Sequence, residues 1–168
     1  AGETVITAIG QGFTQVTPLQ LANATAKIAL PNNKNYVSPH LLLNSNQLKH
    51  KNDSLYTPPP LKKNTMQFVK RGMEAVTEKG GTAAFLNNIN YKIAAKTGTA
   101  QVFGLAGGEY IEDDLPDHLK DHALFIAYAP AEKPELVLAI IVENGGSGGS
   151  TAGPIAKKVF DYFLLDSQ

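Results

Sequence analysis

The sequence predicts an α+β protein, an α/β sandwich in which an antiparallel sheet carries helices on both faces. Three segments of strand-forming composition follow one another at 91–102, 122–129 and 135–143. Only five residues, 130–134, separate the last two segments, and a link of that length joins antiparallel strands but not parallel ones. Helix-forming patterns precede the first strand and follow the last, so we expect helices to pack against the sheet.

The first predicted helix has the clearest start. Thr17 can accept a hydrogen bond from the first turn, Pro18 suits the first helical position, and Gln20 can reach back to the amide of the cap residue. These signals predict a helix over 17–29, which ends before the next proline.

Two further helices are predicted from their apolar stripes. The second begins at Asn64, ends at Gly80-Gly81 and is followed by a short helical turn at 82–86. Ser150 or Thr151 is the predicted cap of the last helix. The stripe residues predicted to enter the core are Met66, Val69, Met73 and Val76, then Ile155, Ala156, Val159, Phe160, Phe163 and Leu164.

The remaining segments are less regular. Residues 4–9 are β-prone and predict a short strand. Residues 31–63 are turn-rich, with one strand predicted at 36–43. The acidic segment 103–121 is predicted to form a rim beside the strand that precedes it, and the glycines at 145–149 predict a flexible break before the last helix. The strand at 135–143 is apolar without alternation, which predicts that it is covered on both faces.

Composition bounds the class of protein. The chain has 168 residues, of which 43% are hydrophobic and 18% charged, as expected for one globular domain. Fifteen basic residues balance fifteen acidic residues, so no net charge favours nucleic acid. The absence of cysteine excludes disulfides and thiolate nucleophiles. His118 and His122 have helical metal spacing, but their acidic surroundings favour a solvated loop, so we expect neither a metal nor another cofactor.

The strand at 91–102 contains Lys96-Thr97-Gly98-Thr99. One cation and two hydroxyls form a suitable receptor for a carboxylate, and the glycine permits close approach of a ligand or of another backbone. Because side chains alternate along a strand, Lys96 and Gly98 share one face, while Thr97 and Thr99 share the other. All of them can serve one ligand only if this strand lies at an edge of the sheet.

Four blocks of the sequence together resemble the class B penicillin-binding proteins. They are 10–22 (Gly-Gln-Gly…Thr-Pro-Leu-Gln-Leu-Ala), 94–102 with the Lys-Thr-Gly motif, 121–130 and 142–146. They occur in family order, and Gln-Val-Phe-Gly-Leu at 101–105 together with Glu-Asn-Gly-Gly resembles the penicillin-binding protein 2 branch. The resemblance implies a β-lactamase/transpeptidase-like fold and D,D-transpeptidation of peptidoglycan stem peptides through a serine acyl-enzyme, which β-lactams trap.

The resemblance also implies residue roles. Lys96 would be a catalytic residue that hydrogen-bonds a serine hydroxyl of the family's middle motif and adds positive potential. The hydroxyls of Thr97 and Thr99, beside Gly98, would bind the substrate carboxylate. The amide of Thr99 would be one of two donors to the oxyanion. The implied setting is cell-wall synthesis and cell shape, at the periplasmic face of the bacterial inner membrane with the anchor outside this chain, in contact with the cell-elongation machinery.

The sequence departs from the family in one respect, because it contains neither Ser-x-x-Lys nor Ser-x-Asn. We therefore expect residues 1–168 to be the C-terminal portion of one transpeptidase domain, inactive alone and partnered by the remainder of that domain. The strand at 135–143 would then have an edge left open by strands missing from this portion. Two alternatives stay open: a non-catalytic β-lactam sensor or interaction module of the same fold, and a D,D-carboxypeptidase or β-lactamase relative.

Overall fold

The computed structural model describes residues 2–12, 15–30, 39, 62–87, 89–102 and 115–166. Within them the order of elements is as follows: helices α1 (Gly2–Ala8), α2 (Pro18–Ala29) and α3 (Lys63–Ala75), a 3₁₀ turn (Ala84–Leu86), strand β1 (Ala94–Ala100), a 3₁₀ turn (Asp117–Leu119), strands β2 (His122–Ala129) and β3 (Leu136–Val142), a π turn (Gly148–Ala152), helix α4 (Gly153–Asp161) and a final π turn (Tyr162–Asp166).

The three strands form one antiparallel sheet in the order β1-β2-β3. Gly98 lies opposite Leu124, and Leu124 lies opposite Ile141. Among the described residues, β1 and β3 are therefore the two edges of the sheet. The predicted antiparallel arrangement of β2 and β3 is confirmed, because the link after Ala129 is too short for a parallel crossover. The predicted span of β2 is confirmed as well.

Helices cover the sheet on both faces, as predicted. On one face, Ala94 and Tyr128 pack with Ala29 of α2 and Met73 of α3. On the other face, the neighbouring strand positions contact α4 and the turns beside it. That second cluster contains Ala95, Phe125, Ala127, Ala152, Ala156 and Phe160, with Leu136, Leu138, Ile140 and Val142 packed against it. The alternation along each strand thus supplies two separate apolar layers.

The capping box predicted for α2 is confirmed. The Thr17 hydroxyl accepts from the Gln20 amide at 3.2 Å, and the Gln20 side chain accepts from the Thr17 amide at 2.8 Å. The helix begins at Pro18 and ends at Ala29. Local side-chain chemistry alone sets this start, which explains why the sequence predicts it well.

The predicted strand over 4–9 is wrong, because residues 4–8 belong to α1 and Ile9 lies in the turn that follows. Strand-forming composition such as Val5-Ile6 becomes a strand only when a neighbouring strand accepts its backbone hydrogen bonds. No such neighbour exists among the described residues, and the helix satisfies its backbone groups locally. Gly10, with φ at +81°, lies in the turn that follows.

Two predicted helix starts are also wrong. Helix α3 begins at Lys63 without a side-chain cap, so Asn64 lies inside its first turn. Before α4, the Thr151 hydroxyl donates to the Gly145 carbonyl at 2.7 Å, and the Ser150 hydroxyl donates to the Ser147 carbonyl at 3.4 Å. Both hydroxyls are occupied as donors to carbonyls, and neither caps the helix.

The predicted core stripes are confirmed only in part. Met66, Met73, Ala156 and Phe160 are buried. Val69, Ile155 and Phe163 are exposed. All of β3 is half-buried, with Val137 packed against the cluster on one face and Leu138 and Ile140 packed against the cluster on the other, so the prediction that β3 is covered on both faces is confirmed. The predicted strand at 36–43 and most of the acidic segment lie outside the described residues.

Tyr128 gives the sheet a measurable response to alkaline pH. Its side chain is fully buried, and its hydroxyl finds no hydrogen-bond partner among the described residues. Burial, with a smaller effect of the Glu74 carboxylate, raises the pKa of Tyr128 to about 12 from its ordinary value of 10.0. The folded protein therefore keeps this proton to higher pH than the unfolded chain. Its contribution to the free energy of unfolding is complete below about pH 10 and is lost as the pH rises through about 12.

We expect Tyr128→Phe to be at least as stable as the unsubstituted protein at neutral pH, because it removes a buried hydroxyl without a partner. The variant should lose less stability than the unsubstituted protein when the pH is raised to about 11. Urea denaturation at both pH values measures this. Tyr91→Phe provides the contrast at neutral pH, since it removes a hydroxyl that donates to Asp161 at 2.6 Å and should lower stability there. An unchanged alkaline loss in Tyr128→Phe would contradict the assignment.

Candidate functional site

Strand β1 turns the backbone groups of Thr97 and Thr99 toward the open edge of the sheet. The side-chain amide of Gln11 donates to the Thr99 carbonyl at 2.9 Å, and the Lys96 ammonium donates to the Thr97 carbonyl. Both carbonyls are thus reached from outside the β1–β2 ladder. In an antiparallel pair, the N–H and C=O of one residue point to the same side, and that side alternates along the strand. It follows that the amides of Thr97 and Thr99 also point outward.

The side chains of the motif divide between the two faces of the sheet. Lys96 is exposed on the face that it shares with Gly98. The Thr97 hydroxyl lies on the other face, where its oxygen is 2.9 Å from the hydroxyl oxygen of Thr82, and the Thr99 side chain is exposed. Because β1 is an edge strand in the part of the chain that the structure describes, the ammonium and the two hydroxyls can approach one ligand around the open edge, and the edge position required by the sequence is confirmed there.

Two glycines lie where the backbone of the edge strand has close neighbours. A Cβ built on Gly98 would lie 3.2 Å from the Cβ of Leu124, the residue opposite it in β2. Gly148, in the π turn before α4, approaches so closely that a Cβ there would overlap the carbonyl oxygens of Gly98 and Leu124. Gly148 and Gly149 are buried. The predicted flexible break at 145–149 is therefore wrong, because these glycines allow the turn to pack on the backbone of the edge strand.

Side chains just before β1 anchor the strand to helices on both faces. The Tyr91 hydroxyl donates to Asp161 of α4 at 2.6 Å, and burial together with this carboxylate raises the pKa of Tyr91. The Lys92 ammonium donates to Glu74 of α3 at 2.8 Å, and this hydrogen bond raises the pKa of Lys92. These contacts fix where the edge strand begins without involving the motif itself.

A cavity of about 530 Å³ lies beside the strand. Its lining includes the four residues 96–99, with Gln11 and Leu21 from the α1–α2 segment. The cavity therefore brings the ammonium of Lys96 and the open backbone edge into one space. Its size suits a small peptide or a drug-sized ligand.

Two residues of this region, Gln11 and Thr82, were not identified from the sequence. Each is a polar residue next to glycine, Gln11 between two glycines and Thr82 after Gly80-Gly81. That pattern indicates a turn and nothing about a partner far along the chain. Their contacts with Thr99 and Thr97 span 88 and 15 residues, which no local pattern encodes.

The histidines near β2 support a turn. The Nδ1 atom of His122 accepts from the Asn144 amide at 2.9 Å. The Asn144 side chain donates to the carbonyls of His118 and Lys120, at 3.1 and 2.9 Å.

Among residues 2–12, 15–30, 39, 62–87, 89–102 and 115–166, no three side chains of His, Cys, Asp or Glu converge to hold a metal ion. Within the same part of the chain, no helix is long and apolar enough to cross a bilayer.

The chain is similar to proteins of one enzyme family along nearly its whole length. The profile of the family "Penicillin binding protein transpeptidase domain" matches residues 2–161. The peptidoglycan D,D-transpeptidase MrdA of Haemophilus influenzae is 42% identical over 97% of this chain and 26% of its own length. That of Acinetobacter baumannii is 43% identical over 98% of this chain and 25% of its own length. The chain thus spans about a quarter of the curated relatives that it matches.

Solved structures agree with these relatives. The structure of Pseudomonas aeruginosa PBP2 in complex with WCK 5153 has a TM-score of 0.79 at 37% identity, over 99% of this chain and 34% of that one. The complex of PBP2 and MreC from Helicobacter pylori gives 0.74 at 31%, over 98% and 28%. The penicillin G acyl-enzyme complex of penicillin-binding protein A from M. tuberculosis gives 0.60 at 25%, over 95% and 34%.

Proposed function

We propose that this chain forms part of a peptidoglycan D,D-transpeptidase, because it belongs to the penicillin-binding-protein transpeptidase family and is of the PBP2 type. In this proposal, the chain supplies the Lys-Thr-Gly strand that lines the substrate cleft. The observation that carries it is the position of β1 at the sheet edge, with two outward amides beside one ammonium and two hydroxyls.

The first role of this edge is to bind a carboxylate. The C-terminal carboxylate of a stem peptide, or the carboxylate of a β-lactam, accepts hydrogen bonds from the hydroxyls of Thr97 and Thr99. The ammonium of Lys96 adds a fixed positive charge at the same edge. Hydrogen bonds to a charged acceptor are stronger than bonds between neutral groups, so this arrangement selects anionic substrates.

The second role is to stabilise the oxyanion. A serine attacks the carbonyl of the penultimate D-alanine, negative charge develops on the carbonyl oxygen, and terminal D-alanine leaves as the acyl-enzyme forms. The outward amide of Thr99 is positioned to donate to that oxygen. An amine from a neighbouring stem peptide then attacks the ester, which forms the cross-link and restores the serine.

The nucleophile in this proposal comes from polypeptide other than these 168 residues, because the sequence contains no Ser-x-x-Lys. The same holds for the hydroxyl expected to face Lys96, since Ser-x-Asn is also absent. Residues 1–168 are then the C-terminal portion of one domain. The open edge of β3 is the place where strands from the rest of that domain pair.

The substrates and partners follow from the same premise. We propose peptidoglycan stem peptides as substrates and β-lactams as acylating inhibitors. The complex of a relative with MreC supports the cell-elongation machinery as a partner. We propose that the protein works at the periplasmic face of the inner membrane.

A labelled penicillin tests the proposal. The full-length protein that contains this chain should form a covalent adduct that maps to a serine outside residues 1–168, whereas the 168-residue chain alone should form none. An adduct on any of the six serines of this chain would contradict the proposal. Slow release of the adduct is expected of a transpeptidase. Rapid release would indicate a β-lactamase instead, and no adduct on the full-length protein would indicate a non-catalytic module.

A further inference from the structure

The hydroxyl of Thr82 is the partner of the Thr97 hydroxyl. Thr82 lies between α3 and the 3₁₀ turn, and the two oxygens are 2.9 Å apart with either one able to donate. The turn around Thr82 is fixed by its backbone, because the Ala83 amide donates to the Val76 carbonyl at 2.9 Å. Gly149 packs against the same turn, where a Cβ would lie 2.6 Å from the Thr82 carbonyl oxygen.

The Thr97 side chain is held from two directions. A Cβ on Gly149 would lie 3.6 Å from the Thr97 methyl group, so this methyl packs over the buried turn. The hydroxyl of the same side chain points to Thr82. The methyl contact and the hydrogen bond together select one rotamer of Thr97. The Thr82 hydroxyl is the hydrogen-bond partner in that rotamer.

Proton counting gives this hydrogen bond a direction when an anion is bound. Each hydroxyl has one proton to donate. If Thr97 donates its proton to a carboxylate, its oxygen must accept from Thr82, so Thr82 becomes the donor of the pair. A hydroxyl that accepts one hydrogen bond also becomes a stronger donor in the next, because the chain of bonds is polarised.

We propose that Thr82 is a positioning residue for anion recognition: its hydroxyl donates to Thr97 and directs the Thr97 proton toward the substrate carboxylate. This inference rests on the proposed function, in which Thr97 binds that carboxylate. Thr82 itself does not touch the reacting atoms. Its effect is specific to ligands that carry the negative charge.

The test compares a penicillin with its methyl ester, which lacks the charge, in the full-length protein. Thr82→Val should lower the second-order rate constant of acylation by the penicillin about fivefold to tenfold, the effect of losing one ordinary hydrogen bond. The rate with the ester should stay within about twofold. Thr82→Ser keeps the hydroxyl and should restore the rate. Thr65→Val, at an exposed threonine of α3, is the matched control and should change neither rate.

The outcomes distinguish a failure of the Thr82 inference from a failure of the proposed function on which it rests. Equal slowing with both ligands, or no slowing, overturns the role of Thr82, as does a failure of Thr82→Ser to restore the rate. Thr97→Val should reduce the preference for the charged ligand. If Thr97→Val leaves this preference unchanged, the carboxylate role of Thr97 fails. If Thr97→Val has the expected effect while Thr82→Val has none, only the Thr82 inference fails.

Should Thr82→Val unfold, the comparison of Thr82→Ala with Thr82→Ser gives the same readout. Thr82→Val added to Thr97→Val should cause no further loss.

Discussion

Replacing Thr99 with proline is expected to slow acylation of the full-length protein by a β-lactam about 100-fold to 1,000-fold. Proline has no amide hydrogen, so the substitution removes the backbone donor that we propose for the oxyanion, and the loss of one such donor has an effect of this size. The fold should tolerate the change. The Thr99 carbonyl is reached from outside the ladder, so its amide also faces the open edge and makes no hydrogen bond to β2.

Two measurements distinguish the loss of the Thr99 amide from the loss of its hydroxyl and from damage to the fold. Thr99→Ala keeps the amide but lacks the hydroxyl, so it should lose only about tenfold, the lower end of the effect of one hydrogen bond to a charged group. The thermal midpoints of the two variants should be similar if the ladder is intact. A Thr99→Pro protein that is acylated as fast as Thr99→Ala would exclude this amide as a donor.

Much of the fold could be predicted because its signals are local. The Thr17-Pro18-Gln20 pattern sets the start of α2 through contacts within one turn, and the structure repeats it. The short link after β2 forces an antiparallel return, and β2 occupies the predicted span of 122–129. The alternation of Lys96 and Thr97 required an edge strand, and β1 is one. For the helix start and the antiparallel return, the deciding interaction lies within a few residues, whereas the edge position of β1 is a requirement of the proposed role of its side chains.

The features that could not be predicted depend on distant partners. Residues 4–9 have strand-forming side chains, but no strand lies beside them among the described residues, and 4–8 are part of helix α1. Thr82 acquires a role only through its contact with Thr97. The glycines at 145–149 predict a flexible break, because the sequence shows that they lack side chains but does not show which backbone packs against them. The motif itself could be identified, whereas the residues that hold it could not.

Gly148 provides the largest expected effect on stability. A methyl group at this position would overlap the carbonyl oxygens of Gly98 and Leu124, and backbone atoms of two paired strands cannot move aside independently. We expect Gly148→Ala to lower the free energy of unfolding by about 2–3 kcal/mol, the upper range for overpacking. Gly72→Ala is the matched control. No atom lies within 4 Å of a Cβ at that exposed helical position, so the variant should gain about 0.5–1 kcal/mol.

Chemical denaturation measures the difference in the free energy of unfolding between the two variants. The rate of acylation shows whether the strain reaches β1. The turn that contains Gly148 packs directly on β1, so strain there displaces the strand that carries both proposed functions. The strain acts on the whole strand and not on one hydroxyl. Gly148→Ala should therefore slow acylation by a penicillin and also by its methyl ester, whereas Thr82→Val should leave the rate with the ester within about twofold. If Gly148→Ala were as stable as Gly72→Ala, the close packing of this turn on the edge strand would be refuted, because a buried methyl group cannot share the space of two carbonyl oxygens.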